Sequence, residues 1–375
     1  MTADAPASNA PGRKPVRSLL ATEIEATVEG LGLPSYRARQ LLRWLYEERV
    51  HSFHEMTDVP APLRAELVRG FSFEELQVIR RTGSDDTTQK FLFRLADTSL
   101  IESVLIPASP ALYGDAADRR TLCVSTQVGC AYGCKFCASG LDGFKRNLGP
   151  EEIVGQLIQV EELSGERVNN IVFMGMGEPL ANFEALLRAI AIINAPWGLH
   201  LGARHITIST SGLAPRIREL ADQPLQTRLA VSLHGATDDV RNKIMPVNRK
   251  YPLAVLFEAC GYYARRKAQH LTFEYILIDQ VNDTPEQARA LAGHARTLKA
   301  KVNLIPYNTV EGLPWHRPAE ARQRAFLAIL RRHGIPATIR IEKGHDIDAA
   351  CGQLRLKTER ELAADKTFAQ SADAS

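Results

Sequence analysis

Three cysteines set close together are the first residues in this chain that could do chemistry. They stand in Cys130-Ala-Tyr-Gly-Cys134-Lys-Phe-Cys137, a C-x3-C-x2-C spacing. Thiolates are soft ligands that suit iron–sulfur clusters or zinc. A structural zinc site takes four ligands, and no further Cys or His follows nearby. A four-iron cluster usually takes four cysteines. Held by three, it leaves one iron open to a small molecule that offers an amine and a carboxylate. The remaining cysteines are Cys123, Cys260 and Cys351. An isolated cysteine is most often a small buried hydrophobe, and Cys260, in FEACGYYARR on an expected helix, fits that reading. Cys351, in GHDIDAACGQL after the expected strand ATIRIE, does not. Two alanines and Gly352 leave its thiol approachable.

These cysteines need elements to position them. From about residue 120, short β-rich runs alternate with helical ones. The expected strands are TLCVSTQV, NNIVFMG, HITISTS, TRLAVSLH, LTFEYILI and KVNLIPY. Between them lie helical runs such as PEEIVGQLIQVEELSG, FEALLRAIAIINA, PEQARALAGHARTL and AEARQRAFLAILRRHG. The alternation predicts an α/β fold whose parallel sheet curves into a partial (β/α)6 barrel. Chemistry in such folds collects at the C-terminal ends of the strands. Polar clusters lie there: MGMGEP after the second strand, STSG after the third, SLH after the fourth and PYN after the sixth. Residues 18–70 read as three helices, with Leu41, Leu42, Trp44 and Leu45 on or near one face and several arginines on the polar side. QKFLFRLADTSLIESVLIP alternates and turns at Asp97–Thr98, as a β-hairpin would. The expected organisation is a disordered tail (1–17), a small N-terminal helical domain (18–75), a β-hairpin linker (85–107), the barrel (115–357) and a flexible C-terminal tail (358–375).

The cysteine spacing, with Phe136 before the last thiol, resembles the signature of the radical S-adenosylmethionine (SAM) superfamily. MGMGEP is similar to the SAM-binding segment of that superfamily, with Gly177 and Glu178 at its glycine and acidic positions. The resemblance implies a [4Fe–4S] cluster on Cys130, Cys134 and Cys137, with SAM on the open iron. It sets Glu178 on the methionine amino group, although a glutamate there could also be a helix N-terminal acid. It also implies that Ser209, Ser232, Leu233, His234 and Asn308 line the SAM site, where each alone could be a strand-end cap. In order along the chain, CVSTQVGC, GFKRNL, MGMGEPL, STSG, SLHG, IPYN and DIDAACGQL look like the RlmN family, which methylates C2 of adenine in 23S rRNA and in some tRNAs.

That second resemblance implies a mechanism. C2 of adenine is electron-poor and is no nucleophile toward the SAM methyl, so a radical route has a physical reason to exist. One SAM methylates Cys351. A second is cleaved to a 5′-deoxyadenosyl radical that takes a hydrogen from the S-methyl group. The methylene radical adds to C2, Glu102 in LIESVLIP accepts the C2 proton, and Cys123 releases the product. A Cys123–Cys351 disulfide then remains to be reduced. For Glu102 the alternative reading is an exposed hairpin carboxylate. The implied partners are 23S rRNA and tRNA (at the adenine 3′ of the anticodon), docked on the arginine-bearing helical domain, and an electron donor such as flavodoxin; a monomer is expected. Two other readings stay open: a relative that methylates C8 of a 23S rRNA adenine with the same cluster and cysteines, and a zinc-stabilised RNA-binding module. A tRNA methylthiotransferase would need three further N-terminal cysteines, and no cysteine precedes Cys123.

Composition narrows the class further. The 375 residues are 45% hydrophobic and 24% charged, as in an ordinary globular protein. Net charge is +3, which permits nucleic-acid binding without demanding it. No apolar run is long enough to span a bilayer. The first residues lack an apolar signal-peptide core. Clustered cysteines without a secretory signal are expected in a reducing cytoplasm, in metal binding or catalysis more than in structural disulfides.

Overall fold

A computed structural model describes residues 13–74, 76–83, 87–108, 118–137, 143–269, 271–308 and 312–340. The N-terminal unit is built from α1 (Ala21–Gly30), α2 (Tyr36–Tyr46) and α3 (Ala61–Gly70). Each buries an apolar stripe at helical spacing: Ile24 and Val28, then Leu41, Leu42 and Leu45, then Leu63 and Leu67. Two short strands, β1 (Lys14–Pro15) and β2 (Phe71–Ser72), pair in parallel across the ends of the unit.

One ten-stranded sheet forms the rest of the frame among the described residues. It begins with β3 (Gln77–Gly83), β4 (Gln89–Arg94) and β5 (Leu100–Pro107), all antiparallel. The expected hairpin is β4–β5, turning through Leu95–Ser99. It is no separate linker, because β5 also pairs antiparallel with β6 (Arg120–Cys123), the first barrel strand. β3 has no clear signature in the sequence, because QVIRRTG shows little apolar alternation; as an edge strand it carries Arg80 and Arg81, charges that blunt edge-to-edge pairing.

From β6 onward the strands run parallel: β9 (Asn170–Phe173), β10 (Ile206–Thr210), β11 (Arg228–Ser232), β12 (Thr272–Leu277), β13 (Lys301–Pro306) and β14 (Ala337–Ile339). The first six are the strands expected for the barrel, and β14, within the expected strand ATIRIE, closes the series as a seventh. The connections carry α4 (Pro150–Ser164), α5 (Phe183–Asn194), α6 (Ala214–Asp222), α7 (Asp238–Ile244), α8 (Leu253–Lys267), α9 (Pro285–Thr297) and α10 (Glu320–Arg332). A small antiparallel ribbon, β7 (Gln127–Gly129) and β8 (Phe144–Asn147), interrupts the first connection.

Register sorts the side chains between two faces, since residues paired directly across a ladder point the same way. Ser103 donates its hydroxyl to Gln156 Oε1 on α4 (2.8 Å), so its face looks toward the helices. Phe91, Ile101, Leu122, Ile171, Ile208, Leu229, Phe273 and Leu304 share that face and are buried. At about 1.5–3 kcal/mol for each large apolar side chain, this layer carries much of the hydrophobic stabilisation. The opposite, inner face is free to be polar. Following the pairs across the sheet, it holds Lys90, Glu102, Cys123, Ser209, Ser232, Glu274 and Asn303.

The helical unit docks on the barrel helices through the same continuous apolar core. Arg188 of α5 donates to Ser18 O (2.8 Å) and pairs with Glu23 of α1, and Arg49 Nη2 lies 2.5 Å from Glu161 Oε2 of α4.

Candidate active site

The cysteine loop is the crossing between β7 and β8. At its base, Cys130 N–H donates to Gly143 O (3.0 Å). Gly129 has φ +74°, and a Cβ there would lie 1.9 Å from Gly143 O, so only glycine lets the two arms close. Further along, Lys135 N–H donates to Ile244 O at the C-terminal end of α7 (3.0 Å), and Trp315 Nε1 donates to Lys135 O (3.2 Å). Cys137 N–H closes a turn on Cys134 O (3.1 Å). Phe136 packs edge-on against His234, with ring centroids 4.8 Å apart. The three thiols are therefore presented on a loop braced against the ends of several strands.

Next to it is the turn after β9. Gly175 N–H donates to Val124 O (3.1 Å), Met176 N–H to Ser125 Oγ (3.0 Å) and Glu178 N–H to Gln127 Oε1 (2.8 Å). Thr126 N–H donates back to Met176 O (2.9 Å). Gly177 takes φ +96°, and a Cβ on it would lie 2.4 Å from Gln127 Cβ. Glu178 is buried, and its carboxylate accepts Leu180 N–H (3.0 Å) and Ser211 N–H (2.6 Å). Burial raises its pKa, and these hydrogen bonds pull it partly back. Glu178 thus ties the end of β9 to the end of β10. It is close enough to Cys130, Cys134 and Tyr132 to raise their pKa values, with burial the larger cause for each. Neutral thiols of this kind exchange a proton for a metal when they become ligands.

Arg241 went unremarked in the sequence. It lies on α7 and is fully buried. Its guanidinium donates to Leu233 O (3.0 Å), Ser211 O (2.5 Å) and Asn248 Oδ1 (2.7 Å), joining the ends of β10 and β11. Burial lowers its pKa to about 10, and its charge favours the thiolate of Cys134. A cation and a carboxylate thus flank the cysteine loop.

Of the strand-end residues, His234 touches this loop through Phe136. Ser209 and Ser232 lie on the inner face near the ends of β10 and β11, and Leu233 is buried. His234 accepts Ile276 N–H at Nδ1 (3.0 Å), which assigns its proton to Nε2. Burial lowers its pKa to about 3, so it is neutral at physiological pH. Asn308 follows β13, and its Oδ1 is buried without a hydrogen-bond partner among the described residues. Such an acceptor suits a ligand donor.

Cys123 and Glu102 share the inner face on adjoining strands. Cys123 pairs with Val104 of β5 and Val172 of β9. Glu102 stands two residues before Val104 on the same side. Glu102 is 5% exposed and lies 3.4 Å from Lys90 Nζ, so it is not an exposed hairpin carboxylate. Ser125 Oγ donates to Glu102 O (2.6 Å), fastening β5 to the segment that leads into the cysteine loop. Cys260 is buried, as expected. Cys351 lies outside the described residues. Among the described residues, no three His, Cys, Asp or Glu converge as ligands of a single metal ion. A cluster asks for a wider spread, since each thiolate takes its own iron.

Residues 124–292 match the model of the Radical SAM superfamily, and residues 17–71 match that of the ribosomal RNA large subunit methyltransferase N-terminal domain. A probable dual-specificity RNA methyltransferase RlmN from Akkermansia muciniphila is 55% identical over 330 residues, covering 88% of this chain and 92% of that protein. The chain belongs to the RlmN family. Its relative from Syntrophobacter fumaroxidans, named dual-specificity RNA methyltransferase RlmN, is 46% identical over 90% of this chain and 97% of its own. A crystal structure of a radical SAM methyltransferase from Sphaerobacter thermophilus superposes with TM-score 0.84 at 44% identity, covering 91% and 98% of the two chains. The chain is accordingly a radical-SAM RNA methyltransferase with a mixed α/β barrel fold. RlmN family membership brings with it a [4Fe–4S] cluster, SAM and an RNA substrate. Among the described residues, no helix is long and apolar enough to cross a membrane.

Proposed function

We propose that this enzyme methylates C2 of a specific adenine in 23S rRNA and in tRNA (the adenine 3′ of the anticodon), with Cys351 as the methyl carrier. Cys130, Cys134 and Cys137 would each hold one iron. The donor set fits, being three partly buried thiols on one braced loop between Glu178 and Arg241. Glu178, held in place by Leu180 N–H and Ser211 N–H, would receive the amino group, while Gly177, Ser209, Ser232, Leu233, His234 and Asn308 would complete the SAM pocket. Cluster and SAM, when bound, supply the one-electron chemistry that lets a methyl group reach an electron-poor carbon.

The chain's own residues do the rest. Glu102 takes the proton released from C2, and the bonding pair stays on the base. The Cys123 thiol gives up its proton, and its Sγ bonds to the Cys351 sulfur as the bond from that sulfur to the methyl-derived carbon breaks. That bonding pair stays on the carbon, which takes a proton, and the one electron left surplus by radical addition would pass to the bound cluster. The resulting disulfide is reduced by thiol exchange. Two SAM are consumed per turnover, one to methylate Cys351. Turnover needs an external electron donor such as flavodoxin; the enzyme works as a monomer in the cytoplasm. The observation that carries this reading is the shared inner face of Cys123 and Glu102, on adjoining strands that lead into the cysteine loop.

The test is nucleoside mass spectrometry on RNA treated with reconstituted enzyme, SAM and reductant. The expected product is 2-methyladenosine, and 8-methyladenosine alone would overturn the assignment. Metal analysis of anaerobically purified protein should find iron and sulfide; a single zinc with neither would end the enzymatic reading.

A further inference from the structure

Lys90 is a fully buried lysine directly before the apolar run Phe91-Leu92-Phe93. A lysine is almost never fully buried unless it is paired. Its Nζ lies 3.4 Å from Glu102 Oε1, and both side chains are nearly sealed from solvent. Register explains the meeting. Lys90 pairs with Val104 and Leu92 pairs with Glu102, so Lys90 and Glu102 are diagonal neighbours on the inner face. Val104 in turn pairs with Cys123. A cation, a carboxylate and a thiol thus occupy successive strands on one face.

Breaking a buried pair leaves an uncompensated charge, which costs more than the pair itself contributes. Removing a paired cation at this depth drives a carboxylate toward its protonated form, which cannot accept a proton. We propose that Lys90 is a positioning residue that holds Glu102 ionised and directed across the inner face, ready to accept a proton from the substrate base. The proposal rests on the reading of Glu102 as the proton acceptor. In that step the proton passes from C2 to a Glu102 oxygen, the bonding pair stays on the base, and Glu102 becomes neutral beside the Lys90 ammonium. Other ionisable groups on this face of neighbouring strands are Arg94 on β4, Arg80 on β3 and Cys123 on β6. Arg94 donates to Gln77 Oε1 at the far end of the hairpin, whereas Lys90 pairs with Glu102.

The experiment follows the step itself. Single-turnover mixtures of full-length enzyme, RNA, SAM and reductant are quenched across a pH series, and the protein–RNA adduct is followed on denaturing gels. In Lys90→Met the adduct should form at the wild-type rate. Its resolution should show an apparent pKa raised by about 1–3 units, with about a tenfold loss of rate per unit below it and recovery at higher pH. Lys90→Arg should restore the wild-type profile. A Lys90→Met profile that matches wild type, or falls equally at every pH, overturns the proposal. Glu102→Gln separates the two readings. If it resolves the adduct normally, the proton-acceptor reading itself fails; if it stalls while Lys90→Met is unshifted, only the role of Lys90 fails. Should Lys90→Met not fold, infrared difference spectra of wild type against Glu102→Gln decide. An ionised Glu102 at neutral pH is expected, and a protonated carboxyl band there overturns the proposal.

Discussion

At the scale of residues, buried polar groups divide the work by charge. His234 is kept neutral, and its titration should be visible in stability. An unfolded histidine titrates near 6.5, whereas burial lowers folded His234 to about 3. As pH falls through that window the unfolded chain gains a proton that the fold refuses, so stability is lost at up to about 1.4 kcal/mol per unit. Above it His234 contributes no slope. His234 has φ +57°, which asparagine tolerates, and an amide oxygen could accept from Ile276 N–H. His234→Asn should therefore lose less stability than wild type between about pH 6.5 and about pH 5 in denaturant titrations; equal slopes would show that His234 is not held neutral. The two remote thiols make separate predictions. Cys351→Ala should abolish both protein S-methylation and product, and normal turnover would refute the carrier role. Cys123→Ala should trap a covalent protein–RNA adduct, so its absence from denaturing gels would remove Cys123 from the resolving step.

Among the elements, the turn after β9 and the β7–β8 ribbon act as one clamp. Gln127 reaches across with Nε2 donating to Asn147 Oδ1 (2.8 Å) while its Oε1 receives Glu178 N–H. Asn182 fastens the same corner by donating to Thr126 O (2.9 Å) and Leu148 O (2.8 Å). Gly177→Ala would push into Gln127 and force a side chain into a positive-φ position. Strain of this kind costs about 1–3 kcal/mol. The expected result is that loss in urea titrations, together with weaker SAM binding to the reconstituted protein by equilibrium dialysis. Wild-type values for both would mean that the clamp does not depend on this glycine.

Among the described residues one large apolar core spans both units, beside a small separate cluster of Leu92 and Leu100. Apolar contacts run from Val28 and Leu45 in the helical unit to Leu304 and Phe326 at the far side of the barrel. Tyr46 packs against Trp197 across the junction, with ring centroids 5.9 Å apart. Continuous burial should make unfolding cooperative. Trp44 reports on α2, and Trp197 and Trp315 report on the barrel. Single-tryptophan variants of the full chain should give coincident urea transitions by fluorescence. An earlier transition for Trp44 would show that the helical unit opens by itself.

The sequence by itself determined the local elements and the class of chemistry. Hydrophobic periods of 3.6 and 2 are properties of neighbouring residues, so α2, α4, α5 and the six expected barrel strands were legible, as was a thiol loop spaced for a cluster. Pairing between distant segments is not written in any local pattern. The union of the hairpin with β6 is a register between residues 100–107 and 120–123, and it alone puts Glu102 on the side of Cys123. Lys90 in QKFLFR and Arg241 in DDVRNKI read as ordinary charged positions, because burial depends on what packs above them. The three cysteines marked what could bind; only the tertiary structure decided which buried charges stand beside them and beside Glu102.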